Sequence, residues 1–127
     1  MEVFKTRLLA RFARHERMLD KRLIEAIERA ERGVIDADLG GGLIKQRVAR
    51  AGQGRSGGYR VWVAYRARSR AVFMYAFAKN ERDNIDPAEL QTAREVAASW
   101  LSADTTRIQQ ALETGEIQEI LDGGQET

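Results

Sequence analysis

Along this 127-residue chain the apolar residues change spacing from a helical period to a strand period between Gly33 and Leu43. Before the change, Leu8, Leu9, Phe12 and Ala13 recur at helical intervals, and Leu23, Ile24, Ile27 and Ala30 repeat the pattern. Asp20 reads as the cap that opens the second helix, and Gly33 as its C-terminal stop. After the change, Ile44, Gln46 and Val48 alternate with Lys45 and Arg47. Tyr59, Val61, Val63 and Tyr65 then alternate with Arg60, Trp62, Ala64 and Arg66. Arg70 to Ala78 is apolar on both faces, as a central strand is. The links Gly52–Gly58 and Ala67–Ser69 are short, which implies antiparallel hairpins. Val3 to Lys5 reads as a short edge strand.

A helical period returns at Asp86-Pro87-Ala88-Glu89, where Asp86 caps, Pro87 takes the first helical position and Glu89 completes a capping box. Leu90, Ala93, Val96, Ala97, Trp100 and Leu101 supply the apolar stripe, and a weaker helical pattern runs on to Leu121, broken at Gly115. The expected fold is therefore α+β. Two N-terminal helices pack on a small antiparallel β-sheet, followed by one or two C-terminal helices. Residues 1–102 form the expected domain, and 103–127 an acidic C-terminal helical extension.

Charge divides the chain further. The net charge is only +2, yet residues 1–82 hold 19 basic and 9 acidic residues, while residues 83–127 hold 2 and 10. Between residues 39 and 82 there are ten basic residues and one acid, Glu81. A basic body of this kind suits a polyanion. There is no cysteine and one histidine, His15, which excludes disulfides, thiolate metal sites and histidine triads. No apolar run is long enough for a transmembrane helix, and the N-terminus shows no signal pattern. No metal, cofactor or membrane partner is expected.

Two segments have the residues for chemistry. Gly52-Gln-Gly-Arg-Ser-Gly-Gly58 is no P-loop, because Ala49 stands where its first glycine belongs, Arg55 replaces the lysine, and a strand follows. It remains either a plain hairpin loop or an arm that brings Arg55 and backbone N–H groups to phosphate. The strand-borne cations are the second. Lys45 and Arg47 share a face, Arg60 starts the neighbouring strand, and Lys79 and Arg82 end the next. They are either solvated strand-end charges or an anion site. As an anion site the cluster has the parts needed to cleave RNA without metal or histidine. A lysine crowded by arginines is shifted toward its neutral form and can act as base. Guanidinium groups bind phosphoryl oxygens through paired donors. Tyr59, Trp62 and Tyr75 fit either base stacking or core packing.

The segments Asp36-Ala-Asp-Leu-Gly-Gly-Gly-Leu43, Lys45-Gln-Arg47, Ser56-Gly-Gly-Tyr-Arg60, Phe77-Ala-Lys-Asn-Glu-Arg82 and Asn84-Ile-Asp86, in this order, resemble the RelE/HigB-type toxins of bacterial toxin–antitoxin modules. The similarity is greatest to the branch of RelE-like translational repressors, and it covers roughly residues 3–102. The resemblance implies a RelE/ParE-like fold and ribosome-dependent cleavage of mRNA in the A site by 2′-hydroxyl attack, in the cytoplasm. It implies three partners: a cognate antitoxin of helix-turn-helix type, mRNA and the ribosome. It further implies catalytic roles for Lys45, Arg47, Arg60, Lys79 and Arg82. RNA contacts are implied from Arg50, Arg55, Ser56, Tyr59 and Asn80. Asn80 stands where some members carry an arginine, and Ile85-Asp86 where they carry a tyrosine. ParE-type relatives, which poison DNA gyrase without cutting RNA, and a degenerate member that only binds antitoxin are the alternatives.

Overall fold

The computed structural model describes residues 1–50, 54–78 and 85–120, with residues 54–57 described by backbone alone. The chain opens with β1 (Glu2–Thr6), α1 (Arg7–Glu16) and α2 (Asp20–Glu31). Four strands follow: β2 (Ala37–Gly40), β3 (Leu43–Arg50), β4 (Gly54–Arg66) and β5 (Arg70–Ala78). Then come α3 (Pro87–Ser102), α4 (Thr105–Thr114) and β6 (Ile117–Glu119). The strands form one sheet in the order β2-β3-β4-β5-β1-β6.

This corrects the expected fold class. The sheet is neither small nor antiparallel throughout. It has six strands and is mixed, because β1 runs parallel to β5 while every other neighbour is antiparallel. Nor is β1 an edge strand, since it lies between β5 and β6. Its composition gives the reason: Val3 and Phe4 point to opposite faces and both are buried, a demand that an interior position meets. The helical reading beyond Gly115 is also corrected. Gly115 takes a left-handed conformation (φ +78°) that ends α4, and Ile117–Glu119 pairs with β1 as a strand.

Each face of the sheet buries its own core. On one face, Leu9 and Ala13 of α1 and Leu23, Ala26 and Ile27 of α2 meet Ile44, Val48, Val61, Val63 and Phe73. On the other, Ala93, Ala97, Trp100 and Leu101 of α3 and Ile108 of α4 cover Leu43, Trp62, Ala64, Val72 and Met74. Thr6 caps α1, its hydroxyl accepting from Leu9 N–H at 3.2 Å. Asp20 does not cap α2. It is the helix's first residue and instead accepts from Lys5 Nζ at 2.7 Å. Asp86 caps α3 with Pro87 behind it. Leu8 and Val96, expected in apolar stripes, are exposed.

Two features fix the position of β3. Gln46 is fully buried on the α2 face: its Nε2 donates to the carbonyls of Ala26 and Val34, at 3.0 and 3.1 Å, and its Oε1 accepts from Asp36 N–H at 2.7 Å. Gly58 lies so close to β3 that a Cβ there would overlap the Val48 carbonyl oxygen. That contact requires glycine.

Candidate nucleic-acid interface

Strand register decides which cations meet. On β3 and β4, Lys45 stands directly opposite Trp62, and Arg47 directly opposite Arg60. Period two puts all four on the α3 face, as a block two residues deep and two strands wide. On β5, Arg60 faces Phe77 and Trp62 faces Tyr75. Exposure rises along this face, from the fully buried Leu43 and Ala64 to half-buried Lys45 and Arg60 and exposed Arg47. No residue that β2, β3, β4 or β5 presents on this face is acidic.

Arg47 is held by its backbone. β2 begins at Ala37, opposite Lys45, so Arg47 has no ladder partner on that side. Asp36 supplies the missing acceptor, its Oδ2 taking the Arg47 N–H at 2.7 Å. Arg29 of α2, itself buried, donates to the Arg47 carbonyl at 3.1 Å and pairs with Asp36 at 2.5 Å. The Arg47 side chain is left to point outward from a fixed main chain.

The block contains donors and no acceptor. Two of them, Arg60 Nη1 and Trp62 Nε1, are buried without a hydrogen-bond partner among the described residues. Each such buried donor costs about 1–3 kcal/mol. Like charges directly opposite on a sheet, as Arg47 and Arg60 are, add a smaller cost to this. Trp62 is 2% exposed and packs against Tyr75 (5.2 Å between rings, 34°) and edge-on to Phe77 (6.1 Å, 80°). Its ring face is therefore part of the core and no stacking platform. An anion with several acceptor oxygens meets the unpaired donors and the facing charges together.

Other residues named from the sequence lie elsewhere. Tyr59 is on the helical-hairpin face, buried against Phe12 (5.4 Å, edge-on), and its hydroxyl donates to Glu16 at 2.7 Å. Burial, first, and the Glu16 carboxylate hold its phenol above the ordinary range. Arg50 sits over the Tyr59 ring at 5.5 Å, and the two line a groove of about 360 Å³ beside the α1–α2 turn. The structure thus brings Lys45, Arg47 and Arg60 together and leaves Tyr59 and Arg50 on the far side. Lys79, Asn80 and Arg82 lie outside the described residues, as do the side chains of Arg55 and Ser56. Sequence reasoning passed over Arg29, Asp36 and Gln46 as supports of the site. The available signal was Gln46, a polar residue that shares its strand period with Ile44 and Val48.

The model of the RelE toxin of the RelE / RelB toxin–antitoxin system matches residues 1–120. The chain belongs to the RelE toxin family. It is the toxin of a toxin–antitoxin module, and its partner in that module is an antitoxin. The match spans every strand and helix of the described residues, β6 included. No curated protein matches the chain. Among the described residues, no helix is long and apolar enough to cross a membrane.

Proposed function

We propose that this RelE-type toxin is a ribosome-dependent mRNA endoribonuclease that blocks translation in the cytoplasm. The observation that carries the reading is the donor-only block of Lys45, Arg47 and Arg60 on an acid-free stretch of sheet. A phosphodiester satisfies the block, and RNA brings its own nucleophile to that phosphodiester. Lys45 Nζ takes the proton of the 2′-hydroxyl, and the 2′-oxygen attacks the adjacent phosphorus. Arg47 and Arg60 hold the phosphoryl oxygens as negative charge grows on them. The bond from phosphorus to the 5′-oxygen breaks, and that oxygen takes a proton from Lys79 or Arg82, which follow β5 in sequence. The products are a 2′,3′-cyclic phosphate and a 5′-hydroxyl, and no metal takes part. The substrate is mRNA in the ribosomal A site, and the antitoxin is of helix-turn-helix type.

The test is mRNA cleavage in a purified translation system, with and without ribosomes, for wild type and Arg60→Ala. Cleavage that needs ribosomes and vanishes in the folded variant is expected. No cleavage by folded wild type, or equal cleavage by Arg60→Ala, overturns the reading, and gyrase inhibition would then be the activity to assay.

A further inference from the structure

Trp62 is the member of the donor block to which the proposed reaction gives no task. Its ring contacts are with Tyr75 and Phe77, in a cluster of aliphatic and aromatic side chains. A phenylalanine would supply that apolar packing. Tryptophan adds an indole N–H that is buried with no acceptor among the described residues. Trp62 lies two residues along β4 from Arg60, on the same face, so their backbones are about 6.7 Å apart. Lys45 is directly across the strand pair. Arg60 Nη1, which also lacks a partner among the described residues, is thus on the next same-face residue of β4.

We infer that Trp62 is a substrate-binding residue, whose indole N–H donates to an oxygen of the RNA sugar–phosphate backbone next to the phosphate held by Arg47 and Arg60. This rests on the nuclease reading above. Trp62 is too buried for its ring to stack a base, so it acts through the N–H alone. A ligand oxygen reaches that atom when a neighbouring side chain swings aside. Lys45, half-buried and directly opposite, is the long flexible side chain in that position. The same swing carries the lysine amine toward the substrate. The donor left unpaired in the free protein is then satisfied only when RNA is bound.

The experiment uses full-length protein and a short single-stranded RNA with 2′-O-methyl groups, which binds as a backbone but cannot be cut by 2′-attack. The chain has two tryptophans, Trp62 and Trp100, so an amide-proton NMR spectrum shows two indole N–H signals, assigned with Trp62→Phe. Adding the RNA is expected to shift the Trp62 indole signal and leave that of Trp100 in place. Trp62→Phe is expected to keep or raise the melting temperature, to weaken RNA binding about tenfold, and to slow cleavage in the translation system. A Trp62 indole signal that stays put at saturating RNA, with Trp62→Phe binding as wild type does, overturns the inference. Arg60→Ala separates this failure from that of the function itself. If Arg60→Ala loses binding and Trp62→Phe does not, only the role of Trp62 falls. If neither variant loses binding or cleavage, the nuclease reading falls with it.

Discussion

Arg60 is expected to destabilise the protein that carries it. It stands directly opposite Arg47 in the β3–β4 register, and its Nη1 is buried without a partner among the described residues. Replacing it by methionine keeps a long, flexible stem against Phe77 and removes both penalties. The cross-strand repulsion accounts for about 0.2–1 kcal/mol, and the orphaned donor for about 1–3 kcal/mol. Some stem contacts and solvation of the exposed part of the guanidinium are lost, so a net gain of about 1–2 kcal/mol is expected for Arg60→Met. For a domain of this size that is a rise of roughly 4–8 °C in melting temperature. The assay is thermal unfolding by circular dichroism, at low salt and at about 1 M salt. Salt screens the repulsion, so the gap between variant and wild type should narrow as salt rises. RNA cleavage should be lost at the same time. A variant less stable than wild type at low salt would refute the reasoning, because Arg60 would then be held by partners that offset its burial.

Other substitutions probe the supports of the site. Asp36→Ala removes the partner of buried Arg29 and the acceptor of the Arg47 N–H; a loss of about 3–5 kcal/mol is expected in denaturant unfolding, with slower cleavage even where the protein stays folded. Gly58→Ala drives a methyl group into the Val48 carbonyl, so the β3–β4 hairpin should shift, seen as a lowered melting temperature and altered near-ultraviolet dichroism. The Tyr65–Glu31 hydrogen bond gives a pH signature, read as wild type minus Tyr65→Phe. Tyr65 donation, first, lowers the Glu31 carboxyl from its ordinary 4.5, so the carboxylate's contribution is present above that pH and is lost as pH falls through the lowered value. Burial, first, and Glu31 raise the Tyr65 phenol above its ordinary 10.0, so that contribution is complete below pH 10 and is lost as pH rises through the raised value. Equilibrium unfolding should show a plateau in the difference between these limits and a decline outside them; a difference that grows on acidification contradicts the assignment.

The site was legible where local periodicity governs it. Alternation alone puts Lys45 and Arg47 on one face, and Arg60 and Trp62 on one face of the next strand, with Tyr59 opposite. What alternation cannot supply is register. Arg47 meets Arg60 because the Gly58 contact and the irregularity between Val48 and Arg50 set how β3 and β4 slide. The parallel pairing of Glu2–Lys5 with Arg70–Phe73 joins residues far apart in sequence, and no local signal announces it. β6 is three residues long, and its Ile117 also fits the helical spacing before it, so the strand hid inside a helical pattern. Gln46 read as one more inward position, although its amide links β3 to α2 and to the segment before β2.

The chemistry of the cut tests the central claim most directly. An mRNA with a single 2′-deoxy sugar on the 5′ side of a mapped cleavage position would be offered to the toxin on ribosomes. If Lys45, Arg47 and Arg60 promote attack by the 2′-hydroxyl, the unmodified message should yield 2′,3′-cyclic phosphate and 5′-hydroxyl ends, and the deoxy message should stay intact at that position. Cutting that continues at the deoxy position, or that leaves 5′-phosphate ends, would contradict the account.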